Sequence, residues 1–172
     1  MFEGGANYFD VGNMHSMQGD DDFLASEYHE LLEDAGIKNK PFWITEAGVF
    51  MRGKPLEQEK LAEVLIPNYA SAFANGASVI FKLQRGHSSG QVLETYLLMA
   101  KTFGNFTVVN KVADNAVKFN MPDGRTVFAL WEDAKLPRSV TGKVTVIDYT
   151  GEESITKAAR VLARIPILVI VK

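Results

Sequence analysis

The chain has 172 residues, 47% of them apolar and 23% charged, with a formal net charge of −3. That apolar fraction excludes a disordered chain, and the length suffices to bury a core as one large domain or two small ones. A slightly acidic balance without a basic stripe excludes an ordinary nucleic-acid partner, and no apolar run reaches the roughly 18 residues that a membrane helix requires.

Cysteine is absent, which removes disulfides, thiolate metal sites and a cysteine nucleophile and leaves the compartment unknown. The opening segment, Met1-Phe-Glu-Gly-Gly-Ala-Asn-Tyr-Phe-Asp10, has neither the basic nor the apolar region of a signal peptide. It reads as the interior of a longer protein.

Residues 8–15, Tyr-Phe-Asp-Val-Gly-Asn-Met-His, predict a strand ending in polar groups, followed by an acidic loop at Asp20-Asp-Asp22. Leu24, Tyr28, Leu31 and Ala35 then recur at helical spacing, with Gly36 as the stop, predicting a helix from about 23 to 35. Residues 41–48 predict a short apolar strand that meets a carboxylate, Glu46, at its C-terminal end. A longer helix over about 56–75 buries Leu61, Val64, Leu65, Tyr69 and Ala72, and Pro67 is expected to kink or divide it. Residues 77–83 predict a third strand and residues 91–103 a third helix with Val92, Leu93, Tyr96, Leu97 and Ala100 inward. Strand–helix repeated three times implies parallel strands joined by right-handed crossovers.

After Gly104 the pattern changes to short strands near 106–109, 116–121, 126–131, 143–148 and 165–171, separated by turn signals. Residues 153–164 are expected to hold a helical turn or two, and the alternation over 126–131 one buried face. The fold class read from this is α/β plus all-β: a unit over 1–104 and a small antiparallel β-sandwich over 105–172.

Ligands of parallel α/β architectures meet the C-terminal ends of the strands. Glu46 holds that position on the second strand, His15 on the first, and Lys82 to Gln84 on the third. From the residues alone, a catalytic Glu46 competes with a structural or solvated glutamate. Trp43 and Trp131 are candidate sugar-stacking platforms, with core packing as the alternative for each.

Trp43-Ile-Thr-Glu-Ala-Gly48 is similar to the seventh-strand motif of clan A glycoside hydrolases, retaining enzymes built on a (β/α)8 barrel with two catalytic carboxylates. Residues 8–15 resemble their sixth strand, which often ends in a histidine near the sugar. Gln58 with the run from Asn75 to Phe81 resembles their seventh helix and eighth strand. The tail from about Asn105, with 123–131 and 165–169, resembles the β-sandwich appended to barrels of the β-xylosidase and α-L-iduronidase type.

The resemblance implies a partial (β/α)8 barrel, strands six to eight, followed by the sandwich. It makes Glu46 the nucleophile, and implies that His15, Trp43, Phe81, Lys82 and Gln84 bind substrate. The Asn-Glu pair that carries the acid/base in this clan does not occur in the sequence. About 250 residues make a full barrel, so the acid/base is expected from outside this chain.

The expected activity is hydrolysis of O-glycosidic bonds by a fragment or remnant of such an enzyme. The alternatives are a non-catalytic carbohydrate-binding or interaction module, or a homodimer forming a composite barrel. Expected partners are a carbohydrate, a missing N-terminal portion or a second copy, with no nucleic acid and no membrane. No cofactor or metal is expected: His15, His29 and His87 lack zinc spacing, and Asp20 to Asp22 read as a helix start before a calcium loop.

Overall fold

The computed structural model describes residues 5–16, 22–38, 40–48, 57–82 and 90–172. Three parallel strands, β1 (Gly12–Ser16), β2 (Phe42–Ala47) and β3 (Ala77–Lys82), form one sheet in that order. Helices α1 (Ala25–Asp34), α2 (Gln58–Ala74) and α3 (Gln91–Phe103) alternate with them. Six strands follow: β4 (Val108–Ala113), β5 (Ala116–Asn120), β6 (Thr126–Leu130), β7 (Lys143–Asp148), β8 (Glu153–Lys157) and β9 (Ile167–Val171). All their pairings are antiparallel, in the order β4-β5-β6-β9-β7-β8.

The expected partial (β/α)8 barrel with an appended β-sandwich is therefore corrected. Among the described residues the parallel strands make an open sheet in which β1 and β3 are each paired on one side only. The antiparallel strands make a single sheet rather than two facing ones.

The physical reason lies in what covers that sheet. Val117, Phe119, Val127, Ala129 and Leu168 share one buried cluster with Leu65, Ile66, Tyr69 and Phe103 of α2 and α3. The opposite face, with Phe128, Leu130, Val144 and Val169, packs on Ala134, Val161 and Ala163 from the connecting segments. Helices on one side and loops on the other take the place of a second sheet. Residues 127–130 of β6 are consequently buried without interruption, not on one face as their alternation predicted.

The local elements have identifiable causes. The Asp22 carboxylate accepts the Ser26 amide at 2.9 Å and the Asn75 side-chain amide at 2.7 Å, opening α1 and tying it to the end of α2. Asp20 and Asp21 lie outside the described residues. Gly12 admits a close approach of α1 to the start of the sheet: a Cβ there would stand 2.9 Å from the Tyr28 hydroxyl and 3.2 Å from the Phe42 Cβ, so a larger residue requires the Tyr28 ring to shift.

Helix α2 runs unbroken through Pro67, where a kink or division was expected. It touches α1, α3 and β3 as well as β4, β5 and β6, and tertiary packing of this extent outweighs one missing backbone hydrogen bond. Residues 153–157 form β8 instead of a helical turn, with a short 3-10 helix at Ala158–Arg160 after it. As an almost fully exposed edge strand, β8 has no apolar alternation to reveal it. No described helix is long and apolar enough to cross a membrane.

Phe119 is wholly buried and stacks on Phe103 with centroids 4.5 Å apart, while Phe106 meets the same ring at 5.3 Å. Removing a buried phenylalanine costs about 3–5 kcal/mol through lost transfer energy and the residual cavity. Phe119→Ala is expected to lower the unfolding free energy read from a urea titration by that much. A loss below about 1 kcal/mol would show that the helices and the antiparallel sheet do not share this core.

Candidate functional site

The open face of the parallel sheet owes its polar character to one extra residue in β2. Phe42 and Ile44 are buried toward the helices and Trp43 is exposed on the other side. Strict alternation would then send Glu46 into the helical core, with Phe42 and Ile44. The register instead shifts: Met14 pairs with Ile44 but His15 pairs with Glu46, and Ile80 pairs with Ile44 but Lys82 with Ala47. A bulge of this kind re-aims a side chain. Thr45 and Glu46 are both half-buried, and Ala47 resumes the buried positions.

The bulge sets Glu46 beside His15. The Glu46 Oε2 stands 3.9 Å from His15 Nδ1, with side-chain exposures of 44% and 54%. At that separation the pair is a loose electrostatic contact, longer than a hydrogen bond. Thr45 donates its hydroxyl to the Asn13 Oδ1 at 2.6 Å, fixing the same two strands one step before the pair. Neither Asn13 nor Thr45 was singled out from the sequence. Their signal was alternation alone, since each sits two residues from His15 or Trp43 on the same face.

Trp43 and Phe81 meet across β2 and β3 with centroids 6.1 Å apart and planes inclined at 57°. They are 37% and 48% exposed, so Trp43 is a surface aromatic and not a core residue. Trp131, by contrast, is buried. Lys82, at the end of β3, places its Nζ 6.0 Å from the Tyr96 ring centroid, and burial lowers its ammonium below the ordinary lysine value. Gln84 and His87 lie outside the described residues.

The arrangement thus joins His15 to Glu46 and Trp43 to Phe81. Among the described residues, Glu46 is the single carboxylate borne by β1, β2 and β3. No group of three or more histidine, aspartate or glutamate side chains suited to a metal ion occurs among the described residues. A cavity of about 520 Å³ runs beside β3, lined by Tyr69, Phe73, Tyr96, Met99, Phe103 and Phe106 among others, and it includes none of the candidate site residues.

No known family description matches the chain, and no curated protein matches it. Among solved structures it is similar to SrfJ from Salmonella typhimurium, with a TM-score of 0.54 and 12% sequence identity. The likeness covers 99% of this chain and 42% of SrfJ, so the chain spans less than half the length of that protein. At this identity the likeness concerns the fold.

The lowered pKa of Lys82 has a definite sign. With the folded value below the unfolded one, the unfolded chain holds more protons between the two, so stability rises with pH there. The rise ends above the unfolded value near 10.5. Lys82→Met removes the charge and should flatten this dependence. Urea midpoints of the two proteins, compared from about pH 8 upward, are expected to converge as the wild-type lysine deprotonates. A constant gap across that range would place the ammonium in water.

Proposed function

We propose that the chain is part of a retaining glycoside hydrolase in which Glu46 is the nucleophile and the acid/base comes from polypeptide outside this chain. The observation that carries this reading is the β2 bulge, which turns Glu46 out of the helical core and sets it beside His15 on an open face. A buried structural glutamate would need no such turn. Trp43 and Phe81 add an exposed aromatic surface within the same three strands, and aromatic faces suit the C–H faces of sugar rings.

In this chemistry the Glu46 carboxylate attacks the anomeric carbon. A new C–O bond forms to the glutamate while the bond to the leaving oxygen breaks, the electron pair departing with that oxygen. A separate acid normally protonates the leaving group, and the two carboxyl groups then stand about 5–5.5 Å apart. His15 orients the nucleophile or contacts the sugar. Glu46 is the lone carboxylate of the three described strands, so the second group belongs elsewhere.

A second reading is a non-catalytic carbohydrate-binding module. It is favoured by the exposed Trp43–Phe81 pair, which would hold a sugar without Glu46 reacting at all.

The two readings separate on a substrate that needs no acid. A dinitrophenolate leaves unprotonated, so 2-deoxy-2-fluoro glycosides bearing it glycosylate a competent nucleophile and stop there. Across a panel of pentoses and hexoses, at least one such glycoside is expected to add a single glycosyl mass to the peptide holding Glu46. Glu46→Gln should abolish the adduct. If no sugar labels the folded wild-type chain, the nucleophile reading is lost and the binding module stands.

A further inference from the structure

A second cavity, of about 500 Å³, opens at the β7–β8 end of the antiparallel sheet, and none of the candidate site residues of the parallel sheet lines it. Four of its lining residues are cationic: Lys135, Arg138, Lys143 and Lys157. Among the described residues, no acidic one lines it. Among the described residues, none of the four takes part in an ion pair. The remainder of the wall is partly apolar, with Leu136, Pro137, Val140 and Val161.

Two of these cations are placed against each other by the fold. Lys143 of β7 stands directly opposite Lys157 of β8 in the antiparallel register. Like charges directly opposite across a ladder destabilise it. Lysine on an edge strand is a common guard against aggregation, and that accounts for Lys157. It does not account for Lys143, which lies on an inner strand, nor for Lys135 and Arg138 in the preceding loop.

The excess is local. Residues 105–172 carry ten lysines and arginines against seven acids, whereas the whole chain has a net charge of −3. A cationic rim inside an acidic protein raises the local concentration of anions. The size also discriminates. Ligand pockets fall within about 300–1,000 Å³, a space for an organic molecule and much more than a single inorganic oxyanion fills.

We infer that this cavity binds an acidic glycan, a short saccharide chain carrying carboxylate or sulfate groups. Its anionic groups pair with Lys143, Lys157, Lys135 and the Arg138 guanidinium, which can hold a carboxylate in bidentate fashion. Its C–H faces lie on Leu136, Pro137 and Val140. A bound anion also relieves the Lys143–Lys157 repulsion, so ligand binding and strand pairing reinforce each other. The site stands on its own residues and needs nothing from Glu46.

Isothermal titration of the full chain tests this with three probes: tetragalacturonate, a neutral galactose tetramer and inorganic pyrophosphate. Tetragalacturonate is expected to bind, with at least tenfold weaker binding by the other two and an affinity that falls as salt rises. Lys157→Glu should weaken tetragalacturonate binding at least tenfold while raising the melting temperature, because it replaces a repulsive cross-strand pair with an attractive one. A variant that is more stable yet binds less cannot have lost binding by unfolding. Equal binding of pyrophosphate would overturn the glycan assignment, and the absence of binding by all three would overturn the site. Since Glu46→Gln leaves this cavity untouched, labelling at Glu46 and binding here succeed or fail separately.

Discussion

Two sheets of different kinds share one core in this chain because a set of phenylalanines fastens them. Phe103 ends α3, Phe106 follows it, and Phe119 lies in β5; Phe73 of α2 meets both Phe103 and Phe106 edge-on. The stack of Phe103 on Phe119 commits the helices to the antiparallel sheet on one side while they already cover β3 on the other. This explains why α2 is buried around so much of its circumference, from Leu61 to Ala72, and why its apolar pattern is broad. It also decides what remains uncovered. With the described helices packed on one face of the parallel sheet and on the antiparallel sheet, no described helix covers the face bearing Trp43, His15 and Glu46.

On that face, a single extra residue separates a core position for Glu46 from a half-exposed one. In a regular β2, Glu46 would join Phe42 and Ile44 beneath the helices, where an ionised carboxylate without a partner carries a heavy desolvation cost. The bulge exchanges that cost for a lost ladder position and a carboxylate in contact with water. A nucleophile gains rate from a drier setting than this, because exclusion of water strengthens the electrostatic terms on which the chemistry runs. The reading of Glu46 as nucleophile therefore carries a structural corollary: whatever supplies the acid/base also covers Trp43, Phe81 and the His15–Glu46 pair. Acid and cover would come from the same polypeptide.

The bounds of helix α3 were legible to the residue, set by Gly90 and Gly104, but its buried face was not: Thr95, Met99 and Phe103 lie inward with Val92, whereas Leu97 and Ala100, expected inward, are exposed. The strands β5, β6 and β7 were legible too, with turn signals on both sides. What escaped depended on partners. β8 sits at an edge and buries nothing, so its five residues carry no pattern. The single antiparallel sheet looked like half of a sandwich because its strands were apolar enough for one; that the covering layer is helical depends on contacts such as Phe103 with Phe119, far apart in sequence. Glu46 was found from its place at a strand end, but the bulge that exposes it is a matter of register with β1 and β3. For Trp43 the sequence leaves core and surface open, and its exposed position in β2, beside Phe81 of β3, decides for the surface.

The distribution of charge adds a constraint on how the two faces of this protein work together. The antiparallel half is net positive, whereas the chain as a whole is negative. Helix α1 alone carries Glu27, Glu30, Glu33 and Asp34. An acidic chain is drawn to the Lys143–Lys157 end of the molecule and repelled from the α1 side. Over distances beyond about 8 Å, salt screens most of that difference, so attraction governs first contact more than final affinity. A carboxylate nucleophile imposes the opposite preference, because an anionic group close to Glu46 would oppose the attack. On the two proposed readings, bond cleavage and saccharide binding have separate places: the strand ends of the parallel sheet for the first and the Lys143–Lys157 edge of the antiparallel sheet for the second.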